Sequence, residues 1–295
     1  MRSADSILFA FLASAASLVA LLAPQQGAAP TPTAAAPRSF GEDATWDDGK
    51  AELSIYDAEE IVEGERRNFE ATSIVVAEHF DAAQMVKKEQ YAPGCVPLLK
   101  CNWFLSIPTG VYRYQQMASL FLRRSDLLVM KAAFSSQEWC GMTFAEWRRD
   151  RPGLVTHSYW DGEADVSHEL GLLAENVLFY EQLPLWVRGR EPQRPRTEPI
   201  TLIQKRLGTS KCPPPKKVAA AIWFDGAKTE GGAERLIVRL LVDKHEDTFL
   251  LAPEFPHVLQ EWRRADGTVW KLRKTTRLDY WKYSKNDFAG FLGSR

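Results

Sequence analysis

From residue 50 the chain alternates apolar and polar positions. Ala51, Leu53 and Ile55 fall out of phase with Lys50, Glu52 and Ser54, and Trp270 and Leu272 out of phase with Lys271 and Arg273. Successive side chains on a strand point to opposite faces, so a period of two predicts half-buried strands. Strand-like runs also cover 69–80, 98–107, 117–123, 127–135, 154–160, 218–224, 235–243, 247–252 and 257–264. Asp-Gly occurs at 48–49, 161–162, 225–226 and 266–267, each close to such a run. Both residues tolerate the positive φ of a tight hairpin turn. Roughly ten or more strands joined by hairpins predict a mainly β protein with an antiparallel meander. So many strands cannot lie flat. The expected architecture is a curled antiparallel sheet or open half-barrel with one helix packed on or in it. That helix is expected over 167–183, where Leu170, Leu173, Val177 and Tyr180 recur at helical spacing between a Ser167 cap and a Pro184 stop. Residues 188–199 and the run Cys212-Pro213-Pro214-Pro215 read as linkers.

The first forty residues are of another kind. Arg2 supplies a positive start, Ile7 to Ala23 form an apolar run broken by Ser14 and Ser17, and Ala28 and Ala29 are small. That order is the signature of a secretory signal peptide. The apolar run, roughly 17 residues, sits at the lower limit for spanning a bilayer, which keeps an uncleaved anchor as the alternative. Residues 30–39 are rich in Pro, Ala and Thr and read as a flexible leader. The expected organisation is a signal peptide over 1–29, a leader over 30–39, and one β-rich domain over 40–295 with lobes 40–187 and 200–295. The expected location is the periplasm or the extracellular space.

Charge is nearly balanced over that domain but unevenly spread. Residues 40–184 carry 13 basic and 24 acidic side chains, and 185–295 carry 22 and 13. A dipolar chain docks its halves on each other, or offers its basic part to an anionic partner. Near the C-terminus Lys271, Arg273, Lys274, Arg277, Lys282 and Lys285 alternate with Trp270, Tyr280, Trp281 and Tyr283. The mixture suits an anionic envelope surface as well as a solvated strand face. The acidic net charge and the expected compartment argue against nucleic acid. The four cysteines, Cys95, Cys101, Cys140 and Cys212, are an even number in an exported chain and suggest disulfides. A turn at Pro93-Gly94 and Pro97 favours Cys95–Cys101, with Cys140–Cys212 as the weaker pairing. Neither C-x-x-C nor H-x-x-x-H spacing occurs, so no metal is expected, although Glu163, Asp165 and His168 make one metal-friendly loop.

The most distinctive stretch is Ser135-Ser136-Gln137-Glu138-Trp139-Cys140-Gly141, with Thr109-Gly110-Val111-Tyr112 before it and His157-Ser158-Tyr159-Trp160 after it. This constellation resembles a family of uncharacterised exported bacterial proteins over about residues 46–185. The family carries a similar threonine-glycine-aromatic turn, an S-S-Q-E-W-C-G segment and a histidine-serine-tyrosine strand. It often has His after the glycine, where this chain has Met142. Some members bear a septum-formation-inhibitor name that belongs to nucleotide pyrophosphatases, whose S-x-S-P-R-R loop does not occur here. The resemblance implies no particular activity. The expected half-barrel is similar in architecture to periplasmic lipoprotein carriers, which by itself carries no function.

Two function classes follow. One is a non-enzymatic binding or carrier protein for an apolar or lipid-like ligand. Its pocket would lie between sheet and helix, with Trp139, Tyr159, Leu173, Val177 and Tyr180 as candidate contacts and Trp139 and Tyr159 in the core of the first sheet. The other is an envelope hydrolase or transferase in which Cys140 is activated by His157 or His79, with Glu138 orienting the imidazole. A structural protein with no ligand is the third alternative. A serine triad on Ser135 or Ser136 is disfavoured because no G-x-S-x-G elbow exists. No cofactor is expected.

Overall fold

The computed structural model describes residues 39–207 and 211–286. The expected signal peptide and all of the expected leader but Ser39 lie outside the described residues. Sixteen strands are present: β1 (Ala51–Val62), β2 (Glu65–Asp81), β3 (Val86–Lys88), β4 (Val96–Pro108), β5 (Arg113–Arg123), β6 (Val129–Glu138), β7 (Gly141–Arg148), β8 (Arg151–His157), β9 (Val166–Glu169), β10 (Val177–Phe179), β11 (Arg196–Ile203), β12 (Lys217–Glu230), β13 (Ala233–Val242), β14 (His245–Leu251), β15 (Leu259–Arg263) and β16 (Val269–Leu278). They form one sheet in the order β10-β11-β12-β13-β14-β15-β16-β1-β2-β4-β5-β6-β7-β8-β9, with β3 paired to β2. Every pairing is antiparallel except β10 with β11. The sheet does not close into a barrel. Its two arms share one hydrophobic core, to which Trp103, Leu120 and Trp147 contribute from one side and Phe224, Val238 and Trp270 from the other.

The expected lobes are therefore halves of one sheet, joined where β1 lies between β16 and β2. Charge follows the same seam. Arg188 pairs with Glu52, Lys205 and Arg264 with Glu60, Arg273 with Asp57 and Glu70, and Arg277 with Asp48. The basic half docks on the acidic half.

The helix expected over 167–183 does not form. Residues Val166–Glu169 are β9, Gly171 takes a left-handed φ of 68° that an α-helix cannot hold, and Val177–Phe179 are β10. Helical turns begin only at Tyr180 and run through α1 (Leu183–Trp186) to Gly189, with Pro184 in the first turn of α1. Proline suits a helix start, since its missing N–H has no partner there in any case. It opens this helix rather than stopping it.

Residues 178–188 are buried throughout and fill the concave face. Their polar groups are tied to strands and loops of both halves. The Trp103 indole donates to the Glu181 carbonyl at 3.1 Å, and Gln182 Nε2 donates to the Leu127 carbonyl at 3.0 Å. Arg188 donates to both Glu52 carboxylate oxygens at 2.8 and 2.7 Å, and to the Pro256 carbonyl at 2.9 Å. Leu173 and Tyr180 are buried and Val177 is half-buried. The space between sheet and helical turns measures about 10 Å³, room for about one water molecule. The expected ligand pocket is filled by the protein itself.

Two other expectations change. Part of the expected linker is β11, in which Pro199 stands opposite Ala221. On its other side β11 meets β10 only at Thr201–Ile203, so Pro199 lies where a missing N–H breaks no ladder. Asp225-Gly226 forms a bulge inside β12, where the register with β13 shifts, and the hairpin turn comes later at Gly231-Gly232.

Candidate functional site

The three segments of the distinctive motif meet at one end of the sheet. Glu138 pairs with Gly141, which leaves Trp139 and Cys140 as the two-residue turn between β6 and β7. Trp139 is therefore on the surface, at 77% exposure, and Tyr159 is 38% exposed. Neither lies in the core, because strand alternation stops at a hairpin tip and the next side chains point outward whatever their chemistry. The Trp139 ring stacks on Tyr112, with centroids 5.7 Å apart and planes 25° from parallel. Tyr112 comes from the β4–β5 loop, whose Thr109 N–H donates to the Tyr112 carbonyl at 3.0 Å. Val111, the tip of that loop, is 83% exposed, and Met142 beyond the hairpin is 58% exposed.

The platform has a rigid base. The Tyr159 ring lies against Gly141, where an added Cβ would fall 2.5 Å from ring carbon. The Tyr159 hydroxyl donates to Glu138. Trp160 packs on Tyr159 at 5.3 Å, and its backbone N–H donates to Ser158 Oγ at 3.1 Å. Ser158 donates to Glu163 Oε2 at 2.8 Å, and the same oxygen accepts from the Cys212 N–H at 2.9 Å. Below the turn Tyr114 is buried, and burial, with Tyr112 and Glu138 as neighbours, raises its hydroxyl above the ordinary tyrosine range.

The catalytic reading of Cys140 finds no partner in this arrangement. Glu138 is bonded to Tyr159 and does not orient an imidazole. His157 stands opposite Phe144, four residues along β7 from Cys140 or about 13 Å at strand rise, and its Nδ1 lies 3.1 Å from Asp165. His79 is on β2 between Pro97 and Lys88. Ser136 is buried on the inner face and accepts from Gln116. All four cysteines are free. Cys101 lies six residues from Cys95, a separation spanned mostly by extended β4 and so about 20 Å. A disulfide needs Cα atoms within about 7 Å. The Cys140–Cys212 pair is likewise unbridged, with Cys140 exposed at its turn and Cys212 half-buried beside the Phe144 carbonyl.

Of the metal-friendly loop, Glu163 and Asp165 have the partners just given and His168 stands opposite Leu154 on β9. Among the described residues no group of three or more such side chains is placed to hold a metal ion. In the basic C-terminal run Arg273, Arg277 and Lys282 form intramolecular ion pairs and Trp270 is buried. A cleft of about 940 Å³ lies over β1, β2 and β16. Asp57, Glu59 and Glu70 face Arg113, Lys271 and Arg273 across it, so its charges offset one another.

A second cluster lies inside the sheet, and the sequence reading missed it. Glu60 accepts from Arg264 at 2.9 Å, from the Trp270 indole at 2.9 Å and from Lys205 at 3.2 Å. Burial alone would raise the Glu60 carboxyl, but the charges of Arg264 and Lys205 outweigh it and hold the pKa at about 2. The guanidinium of Arg264 lies 4.2 Å from the ring centre of Trp262 and 4.8 Å from that of Trp270. One signal was available: Glu60 shares strand parity with Tyr56, Ala58 and Val62, a carboxylate in phase with an apolar face.

No family model, curated protein or solved structure matches the chain.

Proposed function

We propose that the protein is a non-enzymatic binding protein, exported to the periplasm or the cell exterior, that takes an apolar or lipid-like ligand on the aromatic end of its first hairpins. The observation that carries this reading is Trp139, mostly exposed and stacked on Tyr112, with Val111 and Met142 exposed beside it. Withholding an aromatic side chain from the core forgoes about 1.5–3 kcal/mol of burial. Contiguous exposed apolar side chains mark interaction sites. Trp and Tyr suit a boundary that is apolar on one side and wet on the other. The site also gathers the motif residues that carry the family resemblance. The ligand is held on the surface in this reading, since the space between the sheet and the helical turns is water-sized.

Vesicles of phosphatidylcholine with brominated acyl chains test it, because bromine quenches a tryptophan that enters the acyl region. Wild-type emission should be quenched, and Trp139→Ala should lose the quenching while melting unchanged. Absence of quenching in the wild type, or equal quenching in the variant, would overturn the proposal.

A further inference from the structure

Three neighbouring buried polar atoms in the interior cluster have no hydrogen-bond partner: Arg264 Nε, Trp262 Nε1 and Glu181 Oε2. Their residues are 7%, 2% and 4% exposed, so water outside the protein does not reach them. All three residues line the same cavity of about 10 Å³, together with Lys205 and Tyr180. An orphaned buried donor or acceptor carries its full desolvation cost, so such groups gathered round one space point to an occupant. We infer that this cavity is a binding site for one small monovalent anion of halide size, held by Arg264, Trp262 and Glu181 beside Lys205.

The chemistry of the lining selects an anion. Arg264 Nε and Trp262 Nε1 can only donate. Glu181 Oε1 already accepts from the backbone N–H groups of Arg206 at 2.6 Å and Leu207 at 2.8 Å. A proton on this carboxyl therefore sits on Oε2, which then becomes a third donor, and burial raises the Glu181 carboxyl in the direction that favours the proton. Among the three orphaned groups the Arg264 guanidinium is the permanent charge, since it is not deprotonated in a protein, so the cavity faces a fixed cation.

The other charged groups near the cavity are accounted for. Asp247 accepts from the Tyr180 hydroxyl and from the Ala265 N–H, and Arg206 donates to the Pro213 carbonyl. Asp266 sits at the exposed turn before β16, where it caps Thr268 N–H. Tyr180 and Arg264 also line a cleft of about 290 Å³ that includes Asp247 and His245 and offers a way in. Aromatic rings on three sides fix the guanidinium in place.

The test uses the full chain at constant ionic strength, with sodium bromide replacing sodium gluconate. Melting temperature should rise and saturate with bromide, and the response should strengthen at lower pH. In crystals grown in bromide, anomalous scattering should place the ion in this cavity. Trp262→Phe, which keeps the ring and removes one donor, should weaken bromide about tenfold, the equivalent of ~1.4 kcal/mol. Glu181→Gln, whose amide donates at every pH, should keep the binding and lose its pH dependence. A melting response that never saturates, a bromide peak elsewhere with only water in the cavity, or unchanged affinity in Trp262→Phe would each overturn the inference.

Discussion

The aromatic hairpin end and the buried seam between the two halves treat side chains in opposite ways. At the hairpin end Trp139, Val111 and Met142 stand in water although they would gain by burial. In the interior Glu60, Arg264, Glu52 and Arg188 are buried although they would gain by hydration. Each departure is held in place by its surroundings, the first by Tyr112 and Tyr159, the second by bidentate pairing and the rings of Tyr180, Trp262 and Trp270. The two differ in what they do for the fold. Buried charges bind the halves together and fail as a unit when one partner is lost. Exposed rings lie outside the cooperative core and can be removed without it noticing.

That difference sets the sizes of the expected effects. Arg188→Met leaves the Glu52 carboxylate buried and unpaired, and should cost about 3–5 kcal/mol in chemical denaturation. Adding Glu52→Leu should restore much of the loss, and a double variant as unstable as the single one would show that the pair itself was the stabilising element. Glu60 should dominate acid sensitivity. Its carboxyl lies at about 2 in the folded protein against 4.5 ordinarily, so its contribution is present above pH 4.5 and is lost as pH falls towards 2. The amount is about 3 kcal/mol, an order-of-magnitude value for a buried pair. Glu181 and Asp247, both raised by burial, act with the opposite sign and lose their contribution as pH rises above the ordinary carboxyl range. Denaturant midpoints measured between pH 6 and pH 2 should therefore fall for the wild type and flatten in Glu60→Gln.

At the hairpin end the effects should be smaller. Gly141→Ala drives a methyl into the Tyr159 ring and should cost about 1–3 kcal/mol, with a change in near-ultraviolet circular dichroism as the ring moves. Trp139→Ala should alter stability by no more than about 0.5 kcal/mol. Iodoacetamide without denaturant should label Cys140 first and leave Cys101 intact, since burial pushes the Cys101 thiol up to about 12. Protection of Cys140 would place the turn in a contact and erase the contrast.

Strand content was legible because a period of two persists in each half, and the curl followed from strand number. The turn of Trp139 into solvent was not legible. A hairpin of two residues inverts which positions are exposed, and Trp139-Cys140 lacks the Asn-Gly or Asp-Gly that announces such a turn. The helix was misplaced because Leu170, Leu173, Val177 and Tyr180 are apolar for a reason unrelated to helical period: they fill the concavity as strand and turn. The interior charges were invisible as a cluster, since Glu60, Lys205 and Arg264 come from distant segments. Only their summed imbalance between the halves showed in composition.

The position of β1 has a consequence for how the chain is made. It is the first strand of the domain, yet its neighbours are β2 and the last strand, β16, and Arg277 reaches back to the Lys50 carbonyl across 227 residues. One edge of β1 therefore stays open until the entire domain has emerged, whatever side of a membrane it emerges on. Contacts this distant in sequence are entropically slow to close. A truncation that removes only β16 would leave the acidic half facing its absent counter-charges, and the longest exposed edge in the molecule would be at its centre.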